Sequence, residues 1–143
     1  QQIEAEGAGK IIISPASGEV PGIEDIVYAA LVTRKSYADA NPEITRAMAR
    51  AVARGNNYIL DHPEEALAIL QQDQFKTTPP DILKSSLESI AKAVAVDGKM
   101  TETGWSNALK IDKLSGALEN DLDPSEGVMW TNEYVKDVNG QSE

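Results

Sequence analysis

A helix-rich α/β fold is predicted by three observations. Apolar residues recur at three- and four-residue spacing through most of the chain after Arg34. Prolines stand at the start of three of those periodic segments, at Pro42, Pro63 and Pro80. Only two short runs, residues 10–14 and 26–33, have strand character.

Taken in order, Gln1-Gln2-Ile3-Glu4-Ala5-Glu6-Gly7 reads as the last turn of a helix with Gly7 as its C-terminal cap. A chain opening on the end of a helix is expected to be a piece of a longer protein. Lys10-Ile11-Ile12-Ile13-Ser14 reads as a short strand, and residues 14–22, with Pro15, Gly18, Pro21 and Gly22, as a loop. Residues 26–33 are apolar almost throughout, the pattern of a strand buried on both faces in a parallel sheet. Residues 35–40 form a short helix or turn.

Asn41-Pro42-Glu43 supplies a cap, a proline at the first helical position and an acid in the first turn. A helix over 42–60 follows, with Ile44, Met48, Ala51, Val52, Gly55 and Ile59 as its apolar face. His62-Pro63-Glu64-Glu65 restarts a helix over 63–72 that buries Ala66, Leu67, Ile69 and Leu70. A third long helix is expected over 80–96, ended by Asp97-Gly98. Thr101 caps a fourth, running through Trp105 to about Ile111. The last residues, 139–143, read as an unstructured tail.

Composition narrows the function classes. The 143 residues carry 13 Lys and Arg against 23 Asp and Glu, a net charge of −10. Nucleic acid is a poor partner for that balance, because phosphate binding requires clustered cations. There is no cysteine and a single histidine, His62. Thiolate metal sites and cysteine nucleophiles are therefore excluded, and a Ser-His-Asp triad would have to use His62. His62 sits at a helix start and is most simply a cap, so neither a metal nor any other cofactor is expected. Gly7-Ala8-Gly9-Lys10 precedes a strand and not a helix, the wrong context for a phosphate loop. The expectation is a protein that is not an enzyme.

One resemblance is specific. Ala30-Leu31-Val32-Thr33-Arg34-Lys35-Ser36-Tyr37-Ala38-Asp39-Ala40-Asn41-Pro42-Glu43 resembles a signature of the NMT1/THI5-like family, the sulfonate/nitrate/taurine and thiamine-precursor group of ABC transporter periplasmic substrate-binding proteins. Asp61-His62-Pro63-Glu64-Glu65-Ala66 is similar to the family's second helix start, with His62 in place of the usual Asn. Residues 97–105 are similar to its turn into a further helix, and Trp130-Thr131-Asn132-Glu133-Tyr134-Val135 to its closing segment. The resemblance covers about residues 9–135 and only the C-terminal part of such proteins.

It implies the C-terminal portion of a two-lobed periplasmic-binding-protein (type II) fold. Residues 1–25 would be the end of the second lobe and the hinge return, 26–138 the helical part of the first lobe with one buried strand, and 139–143 the tail. It also implies a periplasmic, extracytoplasmic location. The implied partners are a small anionic or heteroaromatic ligand, ABC permease subunits, and the missing N-terminal part or a second copy of the chain.

Within that picture, Ser14 and Ser17 would donate to a sulfonate or carboxylate, Gly22, Glu24 and Asp25 would line the hinge, and Tyr28 would stack on a flat ligand. Each also has a plainer reading: loop serines, turn acids and a packed tyrosine. Arg46, Arg50 and Arg54 recur every four residues and form one stripe, either for docking onto the permease or as a solvated face. The other function class consistent with the residues is a self-contained acidic helical module for protein interaction.

Overall fold

The computed structural model describes residues 2–14, 19–136 and 138. Ser17 and the 139–143 tail lie outside the described residues. The helices are α1 (Gln2–Ala5), α2 (Lys35–Ala40), α3 (Pro42–Asp61), α4 (Pro63–Gln72), α5 (Pro80–Ala91) and α6 (Glu102–Leu114), with 3₁₀ turns at Val96–Gly98 and Glu133–Val135. The helix-rich character read from the sequence is borne out.

Local chemistry explains the boundaries. Gly7 adopts φ +67° and closes α1, its N–H donating to the Glu4 carbonyl while Ala8 N–H donates to Ile3. Asn41 separates α2 from α3. Its side-chain amide turns back to the Tyr37 carbonyl at 3.0 Å, and its own carbonyl accepts from the Thr45 N–H and hydroxyl. The asparagine thus caps the helix behind it with its side chain and opens the next with its backbone. At α6 the expected cap forms, with Thr101 Oγ1 accepting from Gly104 N–H at 2.9 Å.

The chain divides into two compact units. The first comprises Gln1–Glu24 and Gly55–Val94. There α4 packs against α5, and Ala66, Leu83 and Leu87 are buried. Lys84 reaches Glu64 at 3.1 Å. Gln71 donates to the carbonyls of Phe75 and Thr78, closing the loop between the helices.

The second unit comprises Asp25–Arg54 and Ala95–Glu143. Its core is small: Ala53, fully buried, meets Val135 and Val138, with Ala49 packed against them. Residues 126–136, with Val138, act as a strap. Asn132 bonds both backbone groups of Met100, accepting from its N–H at 3.0 Å and donating to its carbonyl at 2.9 Å. Trp130 donates from Nε1 to the Pro124 carbonyl and stacks on Trp105 with ring centroids 6.3 Å apart. The two tryptophans thus pack against each other.

Three expectations need correction. Neither 10–14 nor 26–33 is a strand. Neither belongs to a β-ladder, and Ile12, Tyr28 and Val32 are 88%, 92% and 82% exposed. A strand exists only with a neighbour to complete its ladder, and no other strand lies among the described residues to supply one. Second, α3 presents the opposite face to its unit. Ile44, Met48 and Val52 face solvent, while Ala49 and Ala53 lie inward and Arg46 and Arg50 are half-buried. Alanines admit the strap to close range, which the bulkier stripe would not. Third, α5 ends at Ala91, five residues before the Val96 expected, although Ala93 and Val94 are compatible with helix.

Candidate functional site

The residues expected to meet ligand are held mostly by their own neighbours. Ser14 is half-buried and partnered. Gly22 adopts φ +86°, a conformation that glycine takes freely, and its N–H donates to Glu24 Oε2 at 2.8 Å. This N–H and Glu24's own hold the Glu24 carboxylate below its usual range, with its own backbone the larger cause. Glu24 therefore closes a tight turn with its side chain.

Asp25 anchors the start of α6. Its carboxylate Oδ2 accepts the Thr101 hydroxyl at 2.5 Å, and its carbonyl accepts from Asn107 Nδ2 at 2.7 Å. Val27 N–H donates to the Gly104 carbonyl at 3.1 Å. A Cβ on Gly104 would lie 2.9 Å from Asp25 Oδ1 and 3.2 Å from Val27 Cγ2, so the close approach needs glycine. Thr101 links the two ends: its oxygen accepts from the helix while its proton goes to Asp25. Only Thr101 was legible beforehand, as a cap. The parts played by Gly104 and Asn107 carried no local signal, because Asp25 and Asn107 are 82 residues apart.

Tyr28 stands free in solvent. Arg46 donates to the Glu133 carbonyl at 3.5 Å and lies 5.9 Å from the Tyr134 ring centroid, a cation–π arrangement. Arg50 has a buried Nε without a partner. Arg54 is exposed. The three arginines share a stripe, and of them Arg46 meets Glu133 and Tyr134 of the strap.

Among the described residues each unit also carries a shallow groove. In the first unit, Ile59, Leu67 and Leu87 floor about 250 Å³ rimmed by Glu64, Lys84 and Glu88. In the second, Leu109, Leu118 and Leu122 floor about 280 Å³ beside Lys110, Lys113 and Asp121. Lys113 is paired with Asp121, and Lys110 points a further cation at that rim. Such a groove offers an apolar floor and one positive edge. No helix of the described residues is long and apolar enough to cross a membrane.

Residues 1–66 match the family described as NMT1/THI5 like. Over 119 residues, 80% of this chain, the sequence is 26% identical to a protein of Bacillus subtilis (strain 168) named "Putative binding protein YtlA". The chain spans about a third of that curated relative, 34% of its length. No solved structure matches the chain.

Proposed function

We propose that the chain serves as part of an extracytoplasmic solute-binding component of an ABC-type importer, taking a small anionic or heteroaromatic ligand such as a sulfonate, nitrate or a thiamine-precursor pyrimidine. The observation that carries this reading is the family match over residues 1–66 together with a relative named as a binding protein over 119 residues. The acidic surface, the single histidine and the absence of cysteine agree with a role in binding and not in catalysis. In this reading ligand closes two lobes, and the permease subunits recognise the closed form.

The test is a chimera in which these residues replace the matching 34% of the Bacillus subtilis relative. Thermal unfolding is then followed with taurine, nitrate, an aromatic sulfonate and an aminopyrimidine. Binding to the folded state raises the midpoint in proportion to ligand excess. A concentration-dependent rise with one of the four supports the proposal. A folded chimera whose midpoint none of them moves refutes it.

A further inference from the structure

The chain passes between the two units at 24–25, 54–55 and 94–95. The first and last of these passages lie outside any helix, whereas the middle one falls inside the 20 residues of α3, between Arg54 and Gly55. The two halves of this helix serve different cores. Ala49 and Ala53 pack with Val135 and Val138 in the second unit. Ile59 and Leu60 line the groove of the first unit with Leu67 and Leu87, and Tyr58 donates to Glu65 of α4 at 2.8 Å.

The turn between the halves, Arg54-Gly55-Asn56-Asn57, has no apolar side chain to anchor it in either core. Its composition also works against helix. Glycine in a helix interior lowers helix stability about 5-fold relative to alanine, because it gives up more backbone freedom, and asparagine is among the weaker formers. Nothing in the folded chain requires a glycine there. Gly55 is exposed, its φ is not positive, and a Cβ on it would meet no described atom within 4 Å beyond the helix itself. Gly104 differs, being confined to glycine by Asp25 and Val27. An alanine at 55 would fit and would strengthen α3. What glycine supplies instead is a low resistance to bending, and hinges are built from a few residues of this kind.

We infer that α3 is a jointed helix whose halves, 42–53 and 58–61, reorient about residues 54–57. The continuous helix is one state of the joint. Bending opens the hydrogen bonds that span Gly55, those donated by the amides of residues 56–59, while each half keeps its own core. The inference is independent of solute binding.

Amide exchange and residual dipolar couplings of the 143-residue chain test it. The amides of residues 56–59 should exchange at least about 10-fold faster than those of residues 49–53. The couplings of residues 43–53 and of residues 58–72, which include α4 of the first unit, should require two alignment magnitudes, since a half that swings averages its couplings. Gly55→Ala should slow exchange at 56–59 about 10-fold, bring both halves to one alignment, and lower the unfolding constant in urea about 2- to 5-fold. The last change alone would follow from helix propensity at any exposed position, so a transplanted glycine separates the two causes. Ala51 is exposed and lies one turn earlier on the same side, flanked by Ala49 and Ala53 of a single core. Gly55→Ala combined with Ala51→Gly should return the unfolding constant to within about 2-fold of native yet keep the single alignment. A native chain whose halves fit one alignment overturns the inference, as does exchange at 56–59 no faster than at 49–53. So does a transplant that bends as freely as the native chain, which would make glycine content and not its position the cause.

Discussion

At Gly98 two demands fall on one residue. Its φ is +65°, following Asp97 at +57°, and a Cβ there would stand 3.0 Å from the Ala53 Cβ and 3.7 Å from Val135 Cγ1. Gly116 separates the two effects, since it has φ +78° but open space where a Cβ would go. Gly116→Ala should lower stability by about 1–2 kcal/mol, the left-handed backbone penalty alone. Gly98→Ala should lose about 1–3 kcal/mol beyond that, from overpacking against Ala53. Urea unfolding of both variants measures the difference, and equal losses would show that the Ala53 contact yields freely.

Two turn carboxylates set a pH response at the same scale. Glu24 is held below its ordinary 4.5 by its own N–H and that of Gly22, and Asp123 below 3.8 by the hydroxyl and then the N–H of Ser125. A lowered carboxyl stabilises the folded turn above its unfolded value, and that contribution is lost as pH falls through the lowered one. The Gly22 and Ser125 amide resonances should therefore hold steady from pH 7 to about 5 and shift together with their carboxylates below about 4. Midpoints at or above the ordinary values would remove both turns from the account.

The elements show what sequence specifies locally and what it leaves to partners. Helix starts at Pro42, Pro63 and Pro80 and the Thr101 cap were legible because each depends on residues within one turn. The inward face of α3 was not. Bulk at Ile44, Met48 and Val52 named a core that the described residues do not fill, and Ala49 and Ala53 were chosen by a strap 80 residues away. That 26–33 forms no strand has the same cause, since its apolar run specifies burial without specifying by what. The join of that segment to α6 is the element contact most open to test. Thr101→Val removes the cap and the bond to Asp25 together, whereas Asp25→Ala removes only the second. We expect a loss of about 1–2 kcal/mol for the threonine variant and about half of that for the aspartate variant. Combining them should add little, because Thr101 is common to both interactions. Full additivity would show that Asp25 and Thr101 act independently.

For the whole molecule the prediction concerns ligand. The sequence pointed to Ser14, Gly22, Glu24, Asp25 and Tyr28 as contributors to a cleft, and the structure describes each of them, though none lines either groove. Glu24 holds its own turn through Oε2 and Asp25 holds α6 through Oδ2, so one oxygen of each is already engaged. The two grooves, about 280 and 250 Å³, fall just below the size at which pockets enclose most of a small ligand. A ligand in either would keep much of its water and meet few convergent donors, while still losing its translational freedom. The isolated chain should therefore bind taurine, nitrate, an aromatic sulfonate or an aminopyrimidine with a Kd no tighter than about 1 mM by calorimetry. The chimera with the remainder of the Bacillus subtilis relative should bind one of them at least about 100-fold more tightly, since enclosure from a second side removes the exposed surface. In that chimera Tyr28→Ala should weaken binding more than Glu24→Ala, because Tyr28 is uncommitted and Glu24 is already bonded. Micromolar binding by the isolated chain would place the site in one of its own grooves, with Lys110→Ala the variant to distinguish which. Equal, undiminished affinity in the Tyr28 and Glu24 variants would remove the 14–28 segment from the site altogether.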